Sequence, residues 1–590
     1  MAIGRSLKGG RPPVKATVRR SQLINTYGVG SILPVESESF IVAGLDNWNP
    51  RPADEIDEPR LCGLLGVSRL YAPPGGEGGS MVPIARFPEW VYCPNCSRLD
   101  RFWRLADKLE DRYINKCRHC LTTRLVPSRF VACCTNCHIQ DFPYRYWVHR
   151  GKTDISDSEH ALRIETDATD STLAGITIRC SCGQSRTLEG ALGSNSLRMR
   201  CGGASPWLDG DRVDCAEQLV GLQRGASNVW FADVRSALTV DRTQTDIERV
   251  LERILPELSE IREADVVVML GLRARQYNVN EQELINAYRN HSATPQSYED
   301  AARQLRADEY EALGRSHPEM DGTETFVCEP TVVGALGPVH DRIELVSRVT
   351  RLREVRALRG FSRVSTVNDA VATSPGSLTR KKSAWLPAVE VLGEGIFIRL
   401  SDTALKRWER KKFAHDRADA LTQAIQAAAP ERVGLVPRVS SRFLLLHSLS
   451  HALLNELALD TGYPASSIRE RIYADQGQSG ILLYTATADA AGSLGGLCSY
   501  GTVENVMRIF QSATERAEWC SADPVCLESM STGAGAANLA ACHSCLLVPE
   551  VSCEHQNKLL DRACLVGQEA DPSAGFLLSY GQADTDAPCG

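Results

Sequence analysis

No uninterrupted apolar run in this sequence approaches the ~20 residues that a membrane span needs. The first twenty residues are basic but lack the apolar stretch of a signal peptide, so a cytoplasmic protein away from membranes is expected. Excess positive charge is missing too. The formal net charge is −7 over 590 residues, so any contact with nucleic acid must come from local patches. No phosphate-cradling G-x-x-x-x-G-K-[ST] loop occurs. Gly28 and Gly30 give G-x-G without the last glycine or the strand–loop–helix setting of a dinucleotide site. A G-x-S-x-G nucleophile elbow, an acidic metal cluster and a Cys–His nucleophile pair are likewise not visible. These absences argue against an enzyme.

What the chain does have is cysteine, 21 residues of it. A cytoplasmic setting keeps thiols reduced, so clustered cysteines point to metal sites rather than disulfides. Cys93, Cys96, Cys117 and Cys120 form two C-x-x-C knuckles about twenty residues apart, the spacing of a zinc ribbon. Near the C-terminus, Cys542 and Cys545 form another knuckle, with Cys526 upstream and Cys553 downstream. Four soft ligands in a short span predict a structural Zn2+ site. Between these lies a second module with more candidates than one tetrahedron can use. Cys134 and Cys137 can pair with Cys180 and Cys182, or Cys180, Cys182, Cys201 and Cys215 can close a site alone. His138 can replace one thiol. Structural zinc is expected there, since nothing marks the nearby Asp141 or His149 as catalytic.

The rest of the chain reads as α+β and multi-domain. Residues 1–90 hold a basic arm and a small β region, with a strand near Ser39–Ala43. Residues 91–220 hold the two zinc-ribbon-like modules. Residues 221–440 read as mainly helical, with apolar spacing of 3–4 over 243–255 and again over 281–313. In this region Arg348, Arg351, Arg353, Arg356 and Arg359 alternate with Leu345, Val349, Leu352 and Leu358. The pattern predicts a helix packed on one side with arginines outward, a candidate phosphate-binding face. Residues 441–590 read as a mixed α/β zinc-binding domain. It begins with a helix carrying His447 and His451 on one face, followed by a strand near 481–487, a glycine turn at Gly492, Gly495 and Gly496, and a helix over 501–516. An H-E-x-x-H peptidase would need Glu where Ser448 stands, so the two histidines read as satisfied polar groups at a packing face.

Several segments together resemble a known family. LLHSLSHALLNEL, GYPASSIRERIY, ILLYTA with GSLGGL, and CHSCLLVPEVSCEHQNKLLDR resemble a cysteine-containing domain attached to certain superfamily-two DNA helicases. With SQLINTYGVGSIL, VAGLDNW, LREVRALRGF and GEGIFIRL, the whole chain resembles the stand-alone DrmB family of the DISARM anti-phage defence system. The resemblance implies a non-enzymatic subunit that partners a DrmA-like helicase as a heterodimer and binds DNA through that complex. It also implies that Cys526, Cys542, Cys545 and Cys553 are zinc ligands. Where the family pattern is expected to read C-x-x-G-H, this chain has Cys134-Thr-Asn-Cys137-His138, which leaves Cys137 and His138 as alternative ligands. Two other readings compete: a zinc-dependent hydrolase or nuclease built on His447, His451 or the second module, and an assembly scaffold without DNA contact.

Overall fold

The computed structural model describes residues 2–3, 16–75, 81–110, 112–152, 160–193, 196–240, 250–251, 254, 258, 263–277, 279–292, 297–334, 341–365, 375–428, 438–485, 496–533 and 536–577. Arg5, Lys8, Arg11 and Lys15 of the basic arm, most of the expected 243–255 helix, and Gly492 and Gly495 lie outside them. The chain forms two compact units. One comprises residues 1–236 and 355–390, the other 237–354 and 391–590. The fold is α+β, as expected, with several small sheets and a mixed α/β C-terminal region.

The first unit is built from short antiparallel sheets. The largest runs in the order Val126–Pro127, Trp90–Tyr92, Arg98–Arg101, Leu162–Thr166, Ile176–Cys180, Ser185–Thr187. A second joins Ile139–Asp141, Phe130–Cys133 and Val220–Gln223, and a third joins Ile32–Val35, Glu38–Val42 and Ile84–Arg86. Trp90, Phe130, Phe142, Tyr144 and Trp147 pack between the first two. Strands this short bury little apolar surface of their own, which is the setting in which bound metal supplies stability. The G-x-G at Gly28 and Gly30 is a packing device. A Cβ on Gly28 would stand 2.7 Å from Leu358, and Gly30 has φ +79° with Phe361 against it.

In the second unit, helices Glu263–Tyr277, Glu281–Ser292 and Tyr298–Leu313 match the helical periodicity of that region. The sheet of this unit pairs Gly395–Arg399 with Gly480–Thr485, and Gly480–Thr485 with Ile468–Tyr473, all antiparallel. Helix Ser441–Thr461 crosses its core. Ser440 caps its start by accepting from the Phe443 N–H, and Gly462 ends it at φ +70°. Leu444, Leu445, Leu446, Leu449, Leu453 and Leu457 are buried, so this helix is apolar nearly all round. Helix Val503–Ala517 packs in the same core.

The expectation for the arginine stretch is overturned. Ile343–Ser362 is a twenty-residue strand, not a helix, and most of its residues are buried on both faces. Burial of both faces removes the period-2 alternation that marks a strand, and the apolar residues at 345, 349, 352 mimic a helical stripe.

Candidate metal centres

Among the described residues, five sets of side chains bring four ligand atoms each within 4.8 Å of one another. The first is Cys93, Cys96, Cys117 and Cys120. Both knuckles have the same backbone. The Ser97 N–H donates to Cys93 O and the Leu121 N–H to Cys117 O, at 2.8 and 2.7 Å. Ser97 and Leu121 both sit at positive φ, 58° and 61°. Each turn thereby aims two sulfurs at the other. Cys93–Cys120 and Cys96–Cys117 are both 3.8 Å apart. A tetrahedron with zinc–sulfur bonds of about 2.3 Å has edges of about 3.8 Å.

The second set sorts out the crowded module. Cys134, His138, Cys201 and Cys215 converge, with Cys134 Sγ 3.4 Å from His138 Nδ1. Cys137 is absent from it. That residue has φ +66° and turns its thiol away, donating to Phe361 O at 3.4 Å. His138 stands where the sequence left the two as alternatives. A hydrogen bond from the Cys134 thiol holds Cys201 down to about 4. Gly203 shapes this site. Its N–H donates to Cys201 Sγ at 3.3 Å, its φ is +60°, and a Cβ would lie 1.7 Å from Val213 O. Gly203→Ala is therefore expected to destabilise the module by on the order of 3 kcal/mol and to lower its bound zinc. Metal analysis and thermal melting of the purified variant check this. An unchanged melt with full zinc would show that the backbone relaxes freely.

Cys180 and Cys182 belong to a third set, with His149 and His160. His160 Nδ1 is 3.2 Å from Cys180 Sγ, and His149 Nε2 is 3.3 Å from Cys182 Sγ. The His149 Nδ1–H donates to Arg145 O at 2.8 Å, which fixes the tautomer that leaves Nε2 free to ligate. Neither proposed grouping of Cys180 and Cys182, with Cys134 and Cys137 or with Cys201 and Cys215, is the one formed. Sequence reasoning missed His149 and His160 as ligands, because no fixed spacing links them to the C-x-C pair.

The C-terminal knuckle also has a different fourth member. Cys526, Cys542 and Cys545 meet Cys520, with Cys520–Cys542 at 3.5 Å, Cys542–Cys545 at 3.7 Å and Cys526–Cys545 at 3.8 Å. Cys520 follows the end of helix Val503–Ala517, which delivers it to the knuckle. Cys553 is corrected out of this set. It lies instead with His447, His451 and Glu470, a group in which every residue is buried. All five sets use donors that suit zinc, and each has four of them, enough to fill a tetrahedron.

The five arginines do not form a free basic face. Arg353 and Arg356 are buried. Arg348 pairs with Glu329 at 2.5 Å, Arg351 with Glu319 at 3.0 Å, and Arg359 with Asp233 at 2.6 Å. A phosphate at the last three would have to displace a carboxylate. A different surface in the first unit also gathers cations, although Arg86 pairs with Glu38 at 3.1 Å and Arg145 with Asp100 at 3.6 Å. It is a cavity of about 580 Å3 whose lining includes Arg86, Arg101, Arg145, Lys152 and Arg212 together with Trp90 and Tyr146. Asp141 lines it too. Its carboxyl is pushed up to about 7 by burial, and it accepts the Trp90 N–H at 3.0 Å, an anchoring role for the strand.

Residues 19–231 match a domain of unknown function, DUF8724, and residues 449–546 match the MrfA Zn-binding domain. Over 554 residues the chain is 29% identical to the DISARM protein DrmB of Bacillus paralicheniformis, covering 90% of this chain and 97% of that protein. The chain is similar to a DrmB along nearly its whole length. It carries a zinc-binding domain, and the match spans His451, Glu470 and all four cysteines from Cys520 to Cys545. Among the described residues no helix is long and apolar enough to cross a membrane.

Proposed function

We propose that this chain is a zinc-stabilised, non-catalytic accessory subunit of a DISARM-type anti-phage defence system. It partners a DrmA-like superfamily-two helicase and helps that complex bind and restrict phage DNA. The observation that carries the reading is the 29% identity to a DISARM protein DrmB across 97% of that protein. The metal sets support it. A catalytic zinc keeps one position open for water or substrate, whereas each set here offers four protein ligands. Zinc would be held by Cys93, Cys96, Cys117 and Cys120, by Cys134, His138, Cys201 and Cys215, by His149, His160, Cys180 and Cys182, and by Cys520, Cys526, Cys542 and Cys545. When bound it contributes folding free energy, and these residues hold the small sheets and the C-terminal loops in one arrangement.

DNA contact on this chain is assigned to the cationic cavity of the first unit rather than to the Arg348–Arg359 strand. Guanidinium groups beside aromatic rings suit a phosphate backbone with stacked bases. Co-purification with the helicase, followed by DNA titrations of each protein and the mixture, tests the reading. A stable complex that binds DNA more tightly than either protein alone is expected. The double variant Arg101→Glu/Lys152→Glu should leave the complex intact, weaken DNA binding and flatten the dependence of log K on log salt by about 2. Failure to form the complex would overturn the accessory role. An unchanged salt slope would overturn the cavity as the phosphate site.

A further inference from the structure

Helix Ser441–Thr461 carries four polar side chains with no solvent exposure at all: His447, Ser448, Ser450 and His451. Each needs a partner, and the serines find theirs. Ser448 donates to Leu444 O, and Ser450 donates to Glu470 Oε2 at 2.6 Å. The histidines are held in one tautomer. The Nδ1–H of His447 donates to Leu559 O at 3.1 Å and that of His451 to Leu546 O at 2.8 Å. A carbonyl oxygen only accepts, so a ring proton sits on Nδ1, which leaves Nε2 as the atom that could ligate a metal. Both Nε2 atoms face the same oxygen, Glu470 Oε1, at 3.0 and 3.3 Å. Cys553 Sγ lies 3.2 Å from His447 Nε2 and accepts the backbone N–H groups of His555 and Asn557, both at 3.3 Å. Two backbone N–H groups are aimed at that one sulfur. Four electron-pair donors thus converge on one point in a buried place.

Donors that face each other repel unless a cation stands between them. The geometry points to a fifth metal site, His447 Nε2, His451 Nε2, Glu470 Oε1 and Cys553 Sγ, closed to solvent and built for zinc. The charges balance. Two neutral imidazoles, one carboxylate and one thiolate around a divalent ion sum to zero, as a buried site requires, whereas four thiolates leave two negative charges. The mixed nitrogen, oxygen and sulfur donors favour zinc over calcium or magnesium. Ligating histidines characteristically donate their other ring N–H to a carbonyl or carboxylate, and both do so here. The site would tie helix Ser441–Thr461 to strand Ile468–Tyr473 and to the chain at 546–559.

Crystals of the full-length chain, measured above and below the zinc absorption edge, test this without any substitution. An anomalous peak about 2.0–2.3 Å from all four atoms is expected, alongside peaks at the four cysteine-containing sets. Peaks at those sets with none here would overturn the fifth site. A peak that persists below the zinc edge but vanishes below the iron edge would overturn zinc as its occupant. No peak at any set would instead overturn the zinc reading of the whole chain. As an independent measurement, Glu470→Gln should lower the zinc count of the soluble protein by one atom per chain. A folded variant with an unchanged count would overturn Glu470 as a ligand.

Discussion

Replacing Cys542 with serine in the full-length protein is expected to release one zinc per chain and unfold residues 520–577 well below the melting of the rest. The reason lies in how little regular secondary structure holds that stretch. Its described secondary structure is one four-residue helix, Ala563–Val566, and 3-10 turns at Glu550–Ser552 and Pro572–Ala574. Among its described residues no strand ladder crosses it. Leu546, Val548, Leu560 and Leu565 do enter the main core, and a zinc at Cys520, Cys526, Cys542 and Cys545 would fix the loops that carry them. Structural zinc in small peptides binds with about 10–16 kcal/mol at neutral pH. Even half of that is comparable with the lower end of an ordinary domain's whole stability, about 5–15 kcal/mol. Differential scanning calorimetry with metal analysis checks the prediction, and Cys328→Ser is the control. Cys328 is buried but belongs to no ligand set; its thiol donates to Leu313 O at 3.5 Å. The control should keep all its zinc and lose only about 1 kcal/mol. Equal melting of the two variants would mean that the C-terminal loops are held by packing alone.

The ligand sets divide by how far the sequence could carry the reading. The Cys93–Cys120 set was legible because both knuckles lie on adjacent hairpins, so spacing and geometry coincide. At the C-terminus the same logic picked the wrong fourth thiol. Cys553 is close to Cys545 in the chain, yet it is committed to a helix a hundred residues upstream through His447. Cys520 has no knuckle spacing and is delivered by the end of helix Val503–Ala517. Long-range placement of this kind leaves no local pattern. The same holds for His149 and His160, which join Cys180 and Cys182 across a strand and a loop. Choosing His138 over Cys137 turned on one backbone angle, the positive φ at Cys137. The arginine stretch misled for a different reason. In Ile343–Ser362 the guanidinium groups are absorbed by ion pairs and burial, so charge in the sequence is not charge on the surface. Helix Ser441–Thr461 was plain from its leucines, but the sequence pattern reads its histidines only as packing groups until Glu470 and Cys553 are placed beside them.

Arg471→Met is expected to cost the second unit about 3–5 kcal/mol, because it strands a buried carboxylate. Arg471 and Glu309 are both fully buried and meet in a fork, Nε to Oε2 at 2.9 Å and Nη2 to Oε1 at 2.8 Å. Glu309 also accepts the Leu238 N–H at 2.9 Å and the Tyr473 hydroxyl at 3.2 Å. Four donors satisfy one carboxylate, so helix Tyr298–Leu313 is locked to strand Ile468–Tyr473 in one register. Removing the guanidinium leaves the Leu238 N–H, the Tyr473 hydroxyl and the more distant Arg306, 3.9 Å away, facing a fully buried charge. Arg471→Met/Glu309→Leu removes both charges and should recover part of the loss, since a buried ion pair and apolar residues of similar volume are often close in stability, while buried Glu354 still loses its ion pair with Arg471, 3.7 Å away. Urea denaturation of the two single variants and the double variant measures the coupling. A single-variant loss below about 1 kcal/mol would mean that water reaches Glu309. Full recovery in the double variant would place the pair's value in fixing the helix against the strand. That strand also carries Glu470, so its register sets where the fifth ligand set closes.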